Sequence, residues 1–524
     1  MNNARAWWLV AGSLILAFLA RGPLYLSVLP PFEGWDEYQH LAYIAHLDET
    51  GSIPVAEEST RVSTTLRPLV AALPHPQSGV DQLAGWGAVS YDNYWNTARV
   101  IAGADRQWSP PPRLYQAQQP PLAYVLAWPL WHALKTTHAL EAIYAIRAMN
   151  LLLVATALVL FAGALTRLVP SFAPRVAVFA LVCLHPLFFQ NAARVANDAL
   201  ALAAGVAGIS VLVLADGRTL LARGLLAATC IAASVWTKQT SLTLIPALIL
   251  GPPLIGWAHG VPAGRLWRVT GLAAVAFVLL WAPLWVWNYQ HYGTTLTTQD
   301  SVELAARGSG VATLAASFVN VPWGQVVEFL FVPGRPWVGG WSFLPIEETL
   351  RTLYGWYWGI LLAGALAGAV VAILRRPRSV EAVGRLGLCA IVVIFTALGI
   401  MYYAVVSHAV FGRPMANPWY FMTALPFLFV LLVRGLEAID RRMAVAAAAG
   451  LAALFVAIDV HGTWIQMPAF YASSPKAAIQ WARLTQIHPA ALSGDLRWWF
   501  LATQLGALCL VAGALAHAWR SRAR

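Results

Sequence analysis

The residues best suited to chemistry stand in the stretch PFEGWDEYQH, residues 31–40, directly after the first long apolar run. Glu33, Asp36 and Glu37 lie there with His40, at a place where charged groups stay hydrated yet reach a lipid headgroup. Acids at such a point either cap the next helix, whose first turn favours Asp and Glu, or act on a substrate carried by a lipid. Cations later in the chain suit the second role. Arg21 stands late in the first apolar run, Arg147 opens the second, and Arg194, Asp198 and Lys238 fall in short polar breaks beyond. The chemistry this set supports is deprotonation of a hydroxyl by Asp36, with Glu37 beside it, while Lys238, Arg21, Arg147 and Arg194 hold a departing phosphate.

Each residue also has a plainer role. Lys238 can snorkel to an interface, and Arg147 can anchor the end of a span. Arg194 and Asp198 have the four-residue spacing of a helical salt bridge, which favours a structural pair. His40 and His185 are weak candidates to hold a divalent metal with Asp36 or Glu37, since isolated histidines more often stay neutral and hydrogen-bonded. The chemistry requires no cofactor.

Membrane spans must position these groups. The chain of 524 residues is 59% hydrophobic and 11% charged, with a mean hydropathy of +0.62, which excludes a water-soluble protein. Its net charge of +11 sits in arginines between apolar runs, so it reports topology and not nucleic-acid binding. A span needs about 20 apolar residues. Twelve stretches qualify: 7–29, 147–168, 175–192, 195–214, 222–237, 241–257, 268–288, 353–374, 386–408, 418–434, 443–460 and 498–519. The first lacks a cleavage pattern and reads as a retained helix.

Arginines in alternate connections place both termini in the cytoplasm. Taking Pro121–Leu134 as an interfacial or re-entrant helix then puts the long loops 30–146, 289–352 and 461–497 on the outer face, with short surface helices such as Asp36–Thr50. Cys183, Cys230, Cys389 and Cys509 lie in apolar runs without metal spacing and read as packing residues. Trp35, Trp337 and Trp341 in the outer loops, with Tyr124, Tyr289, His40 and Asp198, are candidates to line a substrate cavity.

The chain contains no glycine-rich phosphate loop, and cytoplasmic nucleotide sugars do not reach an outer-face site. A sugar donor there must arrive on a lipid. In their order, Asp36-Glu37, Gln119-Pro120-Pro121-Leu122-Ala123-Tyr124, Arg147, Arg194 to Asp198, Thr237-Lys238 and Asn288-Tyr289 with Tyr292-Gly293 resemble the integral membrane glycosyltransferases of the C-type fold. That group includes protein O-mannosyltransferases and lipid A aminoarabinose transferases.

The resemblance implies an all-α polytopic fold with large outer loops, a seven-span catalytic module over 1–352 and further spans over 353–524. It also implies Asp36 as the catalytic carboxylate, a polyprenyl phosphate sugar as donor, and inversion at the anomeric carbon. A usual His-Pro-Pro is Gln119-Pro120-Pro121 here, and a late Arg-Tyr pair is Trp419-Tyr420. The expectation is a transferase in a bacterial inner membrane, acting on an extracytoplasmic protein, glycan or lipid. The rivals are a lipid-linked glycan flippase or transporter, a ligase using a diphosphate-linked donor, and a non-catalytic scaffold that would tolerate loss of Asp36. No internal repeat supports a transporter.

Overall fold

The structure is a computed structural model that describes residues 3–29, 36–66, 111, 113–136, 139–308, 310–331, 348–374, 379–463 and 496–520. Among the described residues the elements are helices, joined by turns and one isolated bridge between Arg61 and Arg113. In chain order they run α1 (Asn3–Val28), α2 (Glu37–Thr50), α3 (Leu122–Leu134), α4 (Ala139–Leu168), α5 (Phe172–Leu184), α6 (Pro186–Ala192), α7 (Asp198–Val213) and α8 (Leu220–Val235). After a 3-10 turn, Gln239–Leu244, come α9 (Ile245–Ala258), α10 (Ala263–Tyr292), α11 (Gln299–Ala306), α12 (Val311–Asn320) and α13 (Trp323–Phe331). The remaining helices are α14 (Glu348–Leu374), α15 (Val380–Phe411), α16 (Leu425–Ile439), α17 (Arg441–His461) and α18 (Leu496–Arg520), with a second 3-10 turn, Pro418–Phe421, before α16.

Among the described residues, seven helices are long and apolar enough to cross a membrane, or eight if the bent pair α5–α6 is one span. The chain is a multi-pass membrane protein. Each of the twelve predicted stretches holds a helix, but α7 and α8 have 16 residues each, short of the length that spans a bilayer unaided. The stretch 175–192, expected as one span, is bent by 55° between α5 and α6. Pro186 explains the break, because a residue before proline is driven out of the helical region, and His185 is extended at φ −62°, ψ 122°.

Helix α1 packs against α4, α5 and α18, α7 lies between α4 and α8, and α14 runs along α16. One hydrophobic core joins residues from Trp7 to Ala514, so the N-terminal and C-terminal helices share an interior. Where α14 meets α16 the backbones touch: a Cβ on Gly368 or Gly435 would strike the other helix's main chain. Close approach of this kind supplies contact in lipid, where apolar burial gives little drive for helices to associate. The outer faces accordingly stay apolar and exposed, as at Leu152, Trp267, Val275 and Leu279. Cys183 and Cys389 are buried and free, in keeping with a packing role.

Candidate active site

Asp36 and Glu37 are neighbours in sequence with opposite surroundings. Asp36 occupies the position before α2 in a left-handed conformation, φ 57° and ψ 13°, and is the one non-glycine residue with positive φ among those described. Such backbone costs about 1 kcal/mol or more and persists where its surroundings enforce it. A capping aspartate normally takes extended backbone and accepts the helix's first N–H groups with its side chain. Asp36 makes no such bond, and its carbonyl accepts from the Gln39 and His40 N–H groups at 2.9 and 3.0 Å. The partly buried carboxylate turns to the next loop, accepting from the Tyr115 hydroxyl at 2.6 Å and from Gln116 Nε2 at 3.1 Å.

The loop that carries Tyr115 is fastened from both sides. Arg113 bridges to Arg61, its carbonyl accepts from Gln39 Nε2 at 3.1 Å, and the Leu114 N–H donates to Thr60 at 2.9 Å. Tyr115 also meets Tyr38 edge-on at 6.4 Å.

Glu37 is 0% exposed and points inward. Its Oε1 accepts from Arg147 Nε and from the Val195 N–H, each at 2.8 Å, and its Oε2 accepts from Arg147 Nη2 at 2.5 Å. Arg147 Nη1 donates to the Leu29 carbonyl at 2.8 Å, so the pair ties α2 and α4 to the end of α1 and to the link after α6. This corrects two sequence expectations. Glu37 was expected beside Asp36 as a catalytic acid and Arg147 as a phosphate ligand, but they neutralise one another in the interior, where a charge without its partner is costly.

The remaining cations converge on Asp198. Arg194 Nη2 donates to Asp198 Oδ2 at 2.7 Å and to Asn191 Oδ1 at 2.8 Å, and Lys238 Nζ reaches Asp198 Oδ1 at 2.5 Å. The Arg194–Asp198 pair was read as one helical turn. Instead, Arg194 stands in the non-helical link 193–197 and Asp198 opens α7. Asn150 Nδ2 holds the Arg194 carbonyl at 2.7 Å, and Asn197 Nδ2 donates to Gln119 Oε1 and the Thr237 carbonyl at 3.1 Å each. Lys238 lies 5.1 Å from the centroid of the Tyr420 ring. With Asp198, Asn191, Ser241, Trp419 and Tyr420 it lines a small, partly open pocket.

Asp36 lies within electrostatic reach of this cluster. Burial raises its carboxyl above the usual carboxylate range, opposed by the Tyr115 hydrogen bond and the positive charges of Arg194 and Lys238, and reinforced by Asp198. His40 shares the locality, its Nδ1 2.8 Å from the Tyr124 hydroxyl and its ring stacked on Tyr124 at 5.8 Å. Burial pushes that imidazole down to about 3, so it is neutral at physiological pH. A carboxylate held by neutral donors beside two cations that share one acid can accept a proton and hold an anion.

No family model matches the chain. In structure it is similar to ArnT from Cupriavidus metallidurans bound to undecaprenyl phosphate, at 11% identity and a TM-score of 0.45 over 99% of this chain and 77% of that one. It is similar also to the archaeal oligosaccharyltransferase AglB from Archaeoglobus fulgidus in complex with an inhibitory peptide and a dolichol-phosphate. There the identity is 12% and the TM-score 0.39, over 95% of this chain and 60% of that one. A 103-residue stretch is 33% identical to protoheme IX farnesyltransferase of Dinoroseobacter shibae, covering 18% of this chain and 30% of that enzyme's length.

Other expected site residues lie apart from the cluster. Arg21 was expected among the phosphate ligands, but its Nη2 and Nε pair with Asp459 at 2.5 and 3.1 Å. Its Nη1 donates to the Cys183 carbonyl at 3.0 Å, and the guanidinium lies over Phe189. His185, a weak metal candidate, caps α6 by accepting the Phe188 N–H at 3.1 Å. Among the described residues no group of three or more His, Cys, Asp or Glu is arranged to hold a metal ion. Tyr289, expected in the cavity, is 63% exposed at the end of α10. Trp35, Trp337 and Trp341 lie outside the described residues. Sequence reasoning missed Tyr115 and Gln116. They follow the Pro110-Pro111-Pro112 run in an irregular loop, and the one usable signal was their closeness to the Gln119-Pro120-Pro121 motif.

Proposed function

We propose that the chain is a glycosyltransferase that moves a single sugar from a polyprenyl phosphate to a hydroxyl-bearing acceptor. The observation that carries this reading is the carboxylate of Asp36, which declines to cap its own helix and is held instead by Tyr115 and Gln116 beside the Arg194–Asp198–Lys238 cluster. In this mechanism Asp36 takes the proton of the acceptor hydroxyl. The acceptor oxygen attacks the anomeric carbon, the bond from that carbon to the phosphate oxygen breaks, and polyprenyl phosphate leaves with the electron pair. Arg194 and Lys238 against one Asp198 leave one positive charge in excess, which attracts the phosphate and favours the dianion that develops.

Attack from the side opposite the phosphate inverts the anomeric carbon, as the resemblance to the C-type family implies. The arginine pattern supports a bacterial inner-membrane protein with both termini in the cytoplasm and this site on the outer face. Residues 1–352 then make the catalytic module. The acceptor is an extracytoplasmic protein, glycan or lipid.

The deciding experiment reconstitutes the full chain in liposomes with a panel of labelled undecaprenyl phosphate sugars and, separately, labelled lipids for a scrambling assay. Transfer of one member by wild type, lost in Asp36→Asn, is expected. Scrambling without transfer of any sugar overturns the reading in favour of a flippase.

A further inference from the structure

A second set of buried polar residues, next to residues that line the pocket, has no part in the proton or phosphate chemistry. The Thr297 N–H donates to Gln239 Oε1 at 2.9 Å, joining the turn after Lys238 to the segment that leads into α11. Asp300, in the first turn of α11, accepts a long 3.4 Å contact from the Tyr403 hydroxyl on α15. Gln239, Thr297 and Asp300 are 4%, 1% and 1% exposed, yet Gln239 Nε2, Thr297 Oγ1 and Asp300 Oδ2 find no hydrogen-bond partner. Buried polar atoms left unmatched cost about 1–3 kcal/mol each, so three on two hydrogen-bonded segments call for an explanation. Burial raises the Asp300 carboxyl to about 6, which leaves it an acceptor at neutral pH.

The cluster adjoins the site. Thr240 and Ser241, next along the turn from Gln239, line the pocket beside Lys238. Tyr420 lines it too, meets Tyr403 edge-on at 5.2 Å and hydrogen-bonds to its hydroxyl. The unmatched atoms also select a ligand. Because the Thr297 N–H fixes the amide oxygen of Gln239, the open atom is an NH2 donor, which repels a cation. A donor, an acceptor and a hydroxyl that can be either together suit neighbouring sugar hydroxyls, each of which both donates and accepts.

We propose that Gln239, Thr297 and Asp300 form the subsite that hydrogen-bonds the hydroxyls of the transferred sugar and so selects the donor; the inference rests on the transferase reading above. The test uses Thr297→Val, which removes the hydroxyl at constant shape, and Gln239→Glu, which keeps the bond to the Thr297 N–H and replaces the donor by an acceptor. Each is reconstituted as the full chain. Its KM is measured for the undecaprenyl phosphate sugar that wild type uses and for single-deoxy forms of that sugar, and its Kd is measured for undecaprenyl phosphate alone.

The expected result is a KM about tenfold to a hundredfold higher for the complete sugar, loss of discrimination against at least one deoxy form, and an unchanged Kd for sugar-free undecaprenyl phosphate. Variants that fold, bind undecaprenyl phosphate and discriminate as wild type does overturn the subsite alone and assign the cluster to ordered water. Variants whose Kd for undecaprenyl phosphate rises along with KM likewise overturn it, since the cluster then supports the phosphate site. Wild type that neither binds undecaprenyl phosphate nor transfers any sugar overturns the transferase reading and the subsite with it.

Discussion

Two buried charge clusters, one sealed and one open, lie a few residues apart in this bundle. Glu37 and Arg147 are 1% and 0% exposed in their side chains, and the oxygens of Glu37 are taken by Arg147 and the Val195 N–H. Asp198 is shared by Arg194 and Lys238, and Lys238, 13% exposed, lines a small pocket. The closed pair fastens helices together, whereas the open cluster sets two cations against a single acid at the edge of a pocket. A carboxylate's role is thus set by how many of its partners are cations and whether those cations face space. Asp36 follows neither pattern: its hydrogen-bond donors Tyr115 and Gln116 are neutral, and Arg194 and Lys238 act on it through their field alone, although it adjoins Glu37.

The largest expected effect lies beside the open cluster. Asn tolerates the left-handed backbone of Asp36, so Asp36→Asn should keep the fold. It should lower sugar transfer about 10²–10⁴-fold in proteoliposomes, the usual contribution of a general base; turnover at wild-type rate would remove Asp36 from the chemistry. The sealed side should answer in stability instead. Glu37→Gln leaves Arg147 charged and buried, at a cost of about 3–5 kcal/mol. Thermal melts in detergent should register a large drop, with near-normal turnover per folded molecule.

Lys238→Met probes the surplus charge and should raise the Kd for undecaprenyl phosphate about tenfold to a hundredfold, the worth of a charge-assisted hydrogen bond. An unchanged Kd would mean that Lys238 serves Asp198 only. A pH profile sharpens the same contrast. Asp36 must be ionised to act, and its folded pKa is raised by burial, so activity should fall on the acid side at a pH above the ordinary aspartate value of about 4. Tyr115→Phe removes a hydrogen bond that favours the carboxylate, which raises that pKa further and should move the acid limb of kcat/KM to higher pH. A limb that stays in place or moves down contradicts the assignment. The smallest effect is expected at Arg21. Replacing the buried pair together, Arg21→Met with Asp459→Leu, should leave the donor KM unchanged and stability close to wild type.

Much of this fold is legible in the sequence because hydropathy is a local property. Each of the twelve apolar stretches holds a helix, and α2 ends at Thr50 as its pattern predicts. The bend at His185 was readable from Pro186 but was hidden by the continuous apolar run on either side. The candidate site was half legible. Asp36, Lys238, Arg194 and Asp198 stand out because charge is rare in apolar sequence, while Tyr115 and Gln116 carry no charge and follow no period.

Composition and the placement of arginines determined by themselves that the chain is a bundle of apolar helices in a membrane, with its acids and bases gathered near helix ends. Spacing also named the Arg194–Asp198 pair, but tertiary structure alone decided the long-range pairings. Arg147 finds Glu37 across 110 residues and Arg21 finds Asp459 across 438. The physical reason is that a charge in a low-dielectric interior must be neutralised by whichever opposite charge the packed helices bring within a few ångströms, and sequence separation does not enter that energy.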